Sequence, residues 1–342
     1  MKDIARMLGV SVATVSRALQ DSPSISKKRR EEIQQFAREH NYFPNVIAEQ
    51  LRNSRRSPVK MIGVIVPELV HYYFSAVLSG IEAAADLKGY RILVAQSKEQ
   101  YDREVKICES FYHNKVCGII VSQAKDTVRY EHFKKLEADG VPLVFYDRIC
   151  PVLNASRVVV DDYMGALKAV SYLIERGCRR IAYYGTSHNM EIGKNRFNGY
   201  RDTMRRHHLA IDERLVCQCD NRAEAEALTP TLLALEPRPD GFFTINDDTA
   251  LGVLYSAKRH GFNVPRDLQI CGFADGIRAR SCEPSLTTIE QRGDAVGREA
   301  AQVLLDTLQG RVPAGQFLNR IVKTKLVVRN TTLPPQSDKV EG

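Results

Sequence analysis

Lys2-Asp3-Ile4-Ala5-Arg6-Met7-Leu8-Gly9-Val10-Ser11-Val12-Ala13-Thr14-Val15-Ser16-Arg17-Ala18-Leu19 opens the chain, directly after Met1. Ile4, Ala5 and Leu8 recur at helical spacing, so a helix is expected over 2–8. Gly9 ends it and supplies the left-handed backbone that a tight turn needs. Ser11 is placed to cap a second helix over 12–19. After a loop at Asp21-Ser22-Pro23-Ser24, Ser26 stands before a third helix over 27–40 that carries Ile33, Phe36 and Ala37 on one face. Tyr42-Phe43-Pro44-Asn45 stops that helix, 45–51 can form one short helix, and 52–60 is a polar, basic linker. Two helices about a tight turn, with a third to complete a core, make a helix-turn-helix head.

Charge placement gives this head a polyanionic partner. Residues 1–60 hold twelve Lys and Arg against six Asp and Glu, a net of +6 out of +8 for the whole chain. A solvated charged tail would show the same count. Ile4, Ala5, Leu8, Val10, Val15, Leu19, Ile33, Phe36 and Ala37 give this segment a core of its own, so it reads as a folded basic head suited to phosphates.

From Met61 onward the pattern changes to alternating strand and helix. Strands are expected at 61–66, 91–95, 118–122, 142–146, 180–185, 241–246 and 268–272. Helices are expected at 74–88, 104–113, 163–176, 197–207, 223–235 and 249–260, with Gly89, Gly140, Gly177 and Gly261 at helix ends. This alternation implies doubly wound parallel sheets, and its length implies two subdomains with a ligand cleft between them. The expected layout is a head at 1–43, a hinge and linker at 44–60, a body at 61–333 with crossovers near 160, 291 and 322, and a disordered tail at 334–342.

The eight cysteines are scattered and form no Cys-x-x-Cys, so they are expected to be reduced, with no metal site and no cofactor. No apolar run reaches the length of a membrane span and no secretory leader is present, so the chain is expected in the cytoplasm and away from membranes. No Gly-x-Ser-x-Gly or phosphate-cradling Gly-rich loop occurs, and no catalytic set can be assembled, so no enzymatic activity is expected.

Ile4-Ala5, Gly9-Val10-Ser11, Thr14-Val15-Ser16-Arg17-Ala18-Leu19 and Asn41-Tyr42-Phe43-Pro44-Asn45 together resemble the signature of LacI/GalR transcriptional regulators. The resemblance implies an all-α helix-turn-helix DNA-binding head and an α/β body of two doubly wound parallel-sheet subdomains, similar to type I periplasmic binding proteins. It implies sequence-specific binding to double-stranded operator DNA by a homodimeric repressor whose affinity is set by a small metabolite. Val12, Ala13 and Arg17 occupy the family's base-reading positions, and Ser11, Thr14 and Ser16 are short hydroxyls suited to phosphate. Arg17 can hold a guanine with two hydrogen bonds, while Val12 and Ala13 offer only apolar contact. Lys27, Lys28, Arg29 and Arg30 are further phosphate candidates. The segment from Asn45 to Leu51 resembles the family's hinge helix, in which a leucine wedges into a minor-groove step. The family's first helix follows a capping threonine; here either the chain begins late or the cap and its phosphate contacts are missing.

The resemblance extends over the body to about Leu333 and implies an effector site. It would take Tyr73, Phe74, Ser122, Asp147, Arg148, Arg196, Asn246, Asp247, Asp275 and Gln291. Arg196, Asn246 and Asp247 can grip vicinal hydroxyls, and Tyr73 or Phe74 can cover an apolar sugar face, so a sugar-like effector is expected. Plainer roles are open: Asp247 can cap the helix near Thr249, and Arg148 can be a salt-bridged rim residue. Gly272-Phe273-Ala274 departs from the family's Gly-[Tyr/Phe]-Asp, and the chain has no Trp. These departures leave a phosphorylated or acidic sugar in play. A purine or a protein co-effector is the alternative within the family, and a solute-binding protein is the alternative outside it.

Overall fold

The computed structural model describes residues 2–19, 21–40, 60–187 and 190–334. The expected hinge, with Asn45 and Leu51, and the expected tail beyond Pro334 lie outside the described residues. The chain divides between residues 59 and 60 into two compact units.

In the first unit, α1 (Lys2–Met7), α2 (Val12–Leu19) and α3 (Lys27–Glu39) enclose a core of Ile4, Ala5, Val15, Ala18, Ile33 and Ala37. Gly9 turns the chain at φ +61°. Ser11 Oγ accepts the N–H of Thr14 at 3.0 Å and so caps α2. Ser26 holds the corresponding position before α3, but its side chain makes no capping hydrogen bond. Arg29 donates to the Leu8 carbonyl at 3.1 Å and Gln34 to the Ala18 carbonyl at 2.9 Å, tying α3 across the other two helices.

The second unit holds two six-stranded sheets. The first runs β11-β5-β4-β3-β1-β2, from β1 (Met61–Val66), β2 (Arg91–Gln96), β3 (Gly118–Val121), β4 (Leu143–Tyr146), β5 (Ser156–Val160) and β11 (Asn319–Val322). The other runs β12-β10-β9-β8-β6-β7, from β6 (Ile181–Gly185), β7 (Val216–Gln218), β8 (Gly241–Thr244), β9 (Gln269–Ala274), β10 (Thr287–Glu290) and β12 (Lys325–Val327). All neighbours pair in parallel except β10 and β12. The chain therefore passes between the sheets after β5, after β10 and after β11.

Each sheet is buried on both faces, which is why its strands are almost continuously apolar. Ile62, Val64 and Val66 of β1 face α4 (Tyr72–Asp86) and α12 (Gly293–Leu308), while Ile65 faces α5 (Tyr101–His113) and α6 (Glu131–Ala138). In the second sheet Tyr183 and Phe243 face α7 (Asp162–Glu175) and α8 (Glu191–Arg206). Tyr184 and Phe242 face α9 (Arg222–Leu233) and α10 (Asp247–Arg259). A one-turn helix, α11 (Ile277–Ser281), follows β9. The sequence pass did not list strands β5, β7, β10, β11 and β12 or the long helix α12; β11 and β12 carry mostly exposed or half-buried residues and so lack an apolar run.

Candidate functional site

On α2, Val15 and Ala18 are buried while Ser11, Val12, Ala13 and Arg17 are exposed and Thr14 and Ser16 half-buried. The 3.6-residue period thus turns one stripe into the core and presents Val12, Ala13 and Arg17 to the outside. The hydroxyls of Ser11 and Thr14 lie 2.8 Å apart and bond each other, which rigidifies the start of the presented helix. Among the basic residues of α3, Lys27 and Lys28 are exposed, whereas Arg29 and Arg30 donate to the Leu8 and Asp21 carbonyls.

In the body, the expected effector residues gather at the carboxyl ends of strands, where open α/β sheets bind ligands. Tyr73 and Phe74 sit in the first turn of α4, with ring centroids 5.4 Å apart. Ser122 follows β3, and Asp147 and Arg148 follow β4. The Arg148 guanidinium lies 5.8 Å from the Phe74 ring centre and pairs with Glu99 at 2.6 Å. Asp147 is buried, at φ +57°, and burial raises its pKa against the opposing charges of Arg148 and Arg196.

In the second lobe the expected residues are more fully engaged with one another than the sequence suggests. Arg196 bonds Asp162 through Nε at 2.8 Å and Nη2 at 2.7 Å, donates to the Ile245 carbonyl, and lies 3.6 Å over the Phe273 ring. Asp162 is the partner that sequence reasoning missed. It is pushed up to about 6 by burial, with Arg196 opposing. Its only signal in the sequence is the pair Asp161-Asp162 at a strand–helix junction, of which Asp161 is the cap, accepting from Met164 N–H at 3.2 Å.

Asn246, rather than Asp247, caps α10: its Oδ1 accepts the Thr249 N–H at 2.8 Å and its Nδ2 donates to the Asp220 carbonyl at 2.7 Å. Asp247 instead accepts from the Thr288 hydroxyl and from the Gly276 N–H at 2.8 Å. Burial pushes Asp247 up to about 6 against those bonds. Asp275 pairs with Arg280 at 2.8 Å and Arg329 at 2.6 Å. Ala274 at φ +142° and Asp275 at φ +60° deliver it there, through backbone that L-residues rarely adopt. Gln291 is buried at the crossover into α12.

Among the described residues, two ion pairs join the lobes. Lys125, after β3, reaches Asp220, after β7, at 2.9 Å. His71, before α4, reaches Asp248 on α10 at 3.3 Å, and its pKa is raised chiefly by that hydrogen bond. Burial alone would raise Asp220, but the Thr186 hydroxyl and Lys125 hold it below the usual carboxylate range. None of these four residues was among the site residues expected from the sequence.

Beside Asp147 and on the neighbouring strand end the buried Ser122 Oγ, Gln123 Oε1 and Arg148 Nε have no hydrogen-bond partner, Ser97 Oγ is a further orphan beyond β2, two strands from β3, and the Tyr73 hydroxyl lies beside Asp147 without a well-formed bond. All belong to the carboxyl ends of β1–β4 or the turns just beyond them. Buried polar atoms are almost always satisfied, so several orphans at neighbouring strand ends single this region out among the described residues. No helix among the described residues is long and apolar enough to cross a membrane.

Known proteins share both halves of this arrangement. The family described as bacterial regulatory proteins, lacI family, matches residues 1–45, and the periplasmic binding protein-like domain matches residues 170–332. The HTH-type transcriptional repressor CytR of Escherichia coli (strain K12) is 32% identical over 334 residues, 97% of this chain and 96% of that protein. A solved complex of the transcriptional regulator CelR with cellobiose is 26% identical, with a TM-score of 0.73 over 96% of this chain and 98% of that one. The lac repressor dimer bound to operator and the anti-inducer ONPF has the same fold, with a TM-score of 0.83 over 97% and 98% of the two chains at 24% identity. With a basic helix-turn-helix head, two crossed-over lobes and relatives matched along nearly its full length, the chain belongs to the LacI family of DNA-binding transcriptional regulators.

Proposed function

We propose that this regulator is a repressor that reads operator DNA with the Val12, Ala13 and Arg17 face and is controlled by a small sugar-like molecule held between its lobes. The set of unpartnered buried polar atoms beside Asp147 and at the neighbouring strand ends is the observation that carries the effector half. The cellobiose bound to CelR supports a sugar, since that regulator aligns over nearly the whole chain. The experiment is a thermal-shift screen of sugars, sugar phosphates and purines, because a ligand that binds only the folded state raises its melting temperature. A hit whose shift survives unchanged in both Asp147→Asn and Ser122→Val places the ligand elsewhere and sinks the assignment.

For the DNA half, Arg17→Ala is expected to cost about 1–3 kcal/mol on the operator and to relax preference at one base pair per half-site. Equal loss on specific and random DNA, measured by titration, shows that Arg17 does not read bases. Asn45 and Leu51 complete the proposed interface as hinge and minor-groove wedge.

The functional unit is proposed as a homodimer, since two heads must reach two half-sites. Leu69, Val70 and Tyr72 of one lobe and Ile277 of the other are exposed, Tyr72 packs beside Gly276, and such an apolar patch suits a second copy of the chain. A tetramer in light scattering at micromolar concentration overturns the dimer.

A further inference from the structure

We propose that the cleft selects an electrically neutral ligand rich in hydrogen-bond donors and rejects its phosphorylated or carboxylated counterparts. This rests on the reading of the cleft as the effector site and asks what charge that site tolerates.

Each arginine or lysine assigned to the cleft is already committed to a carboxylate: Arg148 to Glu99 at 2.6 Å, Arg196 to Asp162 at 2.7 Å, and Lys125 to Asp220 at 2.9 Å. Arg148 and Arg196 are each less than a tenth exposed, so solvent does not compete for them. Asp147 and Asp247 are the exceptions. Each is equally buried, yet among the described residues neither forms a salt bridge. The three pairs cancel, and with Asp275 set against Arg280 and Arg329 the assigned residues still hold one acid more than they hold cations.

The unpartnered atoms have the same bias. Gln123 Oε1 can only accept, the Ser97, Ser122 and Tyr73 hydroxyls can do either, and Arg148 Nε alone is a pure donor. A ligand that brings several O–H or N–H groups satisfies this set. A phosphate or carboxylate brings only acceptors, and would have to sit beside Asp147 or tear a cation from its partner, and either choice strands a buried charge. Vicinal hydroxyls are the shared chemistry, and a free sugar or the ribose of a nucleoside can supply them.

The obvious point of conversion is Glu99. Its carboxylate neutralises Arg148 and also accepts the Lys125 backbone N–H at 2.9 Å. Glu99→Gln keeps an acceptor of the same shape for that N–H but frees the guanidinium.

The test measures binding to the full chain, by calorimetry and thermal shift, for matched pairs: ribose against ribose 5-phosphate, and adenosine against adenosine 5′-monophosphate. The two neutral arms separate a free sugar from a nucleoside as the source. Inorganic phosphate is a further probe; the basic head can take it up in every variant, so the difference between parent and Glu99→Gln is what counts. The expected result is binding of at least one neutral member at least tenfold tighter than its phosphorylated twin. In Glu99→Gln that ratio falls, and phosphate gives a larger shift than in the parent. A phosphorylated member that binds the parent as tightly as its neutral twin overturns the proposal, as does a panel in which no neutral member binds at millimolar concentration. If a neutral ligand binds with unchanged affinity to both Asp147→Asn and Ser122→Val, the cleft assignment itself has failed, whatever the selectivity.

Discussion

Gly297→Leu is expected to destabilise the body by more than about 3 kcal/mol, enough to leave little folded protein in a domain of ordinary stability. α4 and α12 cross with their backbones almost touching. A Cβ added at Gly297 would lie 2.0 Å from the Val77 carbonyl oxygen and 2.9 Å from the Ile81 nitrogen. The contact is reciprocal, since a Cβ at Gly80 would lie 2.1 Å from the Asp294 carbonyl oxygen. Both obstacles are main chain, so no rotamer change relieves them and the helices must separate. Separation opens the cluster in which Val77 and Ile81 meet Val296, Ala300 and Ala301. Even Gly297→Ala should cost about 1–3 kcal/mol. Urea unfolding followed by circular dichroism checks both. A leucine variant within 0.5 kcal/mol of the parent, a margin typical of an ordinary surface change, would show that the helices are not in backbone contact.

Arg196→Ala is expected to cost about 3–5 kcal/mol at neutral pH, because it leaves Asp162 buried without its counter-charge, so that the acid must either stay charged and unpaired or take up a proton. That outcome differs from what a ligand-facing arginine implies, namely a stable protein that has lost only its response. The pH dependence separates the two. Asp162 is held at about 6 in the folded chain against an ordinary 3.8, so burial already disfavours its charged form. For such a raised group the stability contribution is complete below 3.8 and is lost as pH rises through about 6. Removing Arg196 takes away the charge that opposes the rise, and the folded pKa moves further up. The deficit of the variant relative to the parent therefore grows between pH 5 and pH 8. A deficit independent of pH would mean that Asp162 does not feel Arg196. Pairing Arg196→Met with Asp162→Leu should recover much of the loss, since an apolar pair strands no charge.

The head was legible because a single local pattern carries it: apolar residues at helical spacing, a glycine where φ is +61°, and a serine at the start of the presented helix. The body's central strands were legible for the same reason, being apolar runs buried on both faces. What the sequence hid is long-range. That Ala274 replaces an acid is visible in the chain itself, but that Asp275 is captured by Arg329, 54 residues away, is not. Arg196 was readable as an effector-site arginine and Asp162 was not singled out; their partnership needs the fold to bring them 2.7 Å apart. Edge strands such as β11 carry exposed residues and no alternation, so pattern alone cannot place them.

The three passes between the sheets have a consequence for biosynthesis. The first lobe's early strands and helices leave the ribosome first, yet Val296, Ala300, Val303 and Leu304, which cover one face of its sheet, come from α12. Its edge strand β11 emerges later still, at Asn319–Val322. During translation of everything between β6 and β10, the unfinished sheet presents an apolar face covered only in part, by α4, the kind of surface that aggregates or recruits a chaperone. The two lobes thus mature together at the end of synthesis, and a ribosome that stops before residue 293 releases a chain in which both sheets lack an edge strand and the half made first also lacks α12.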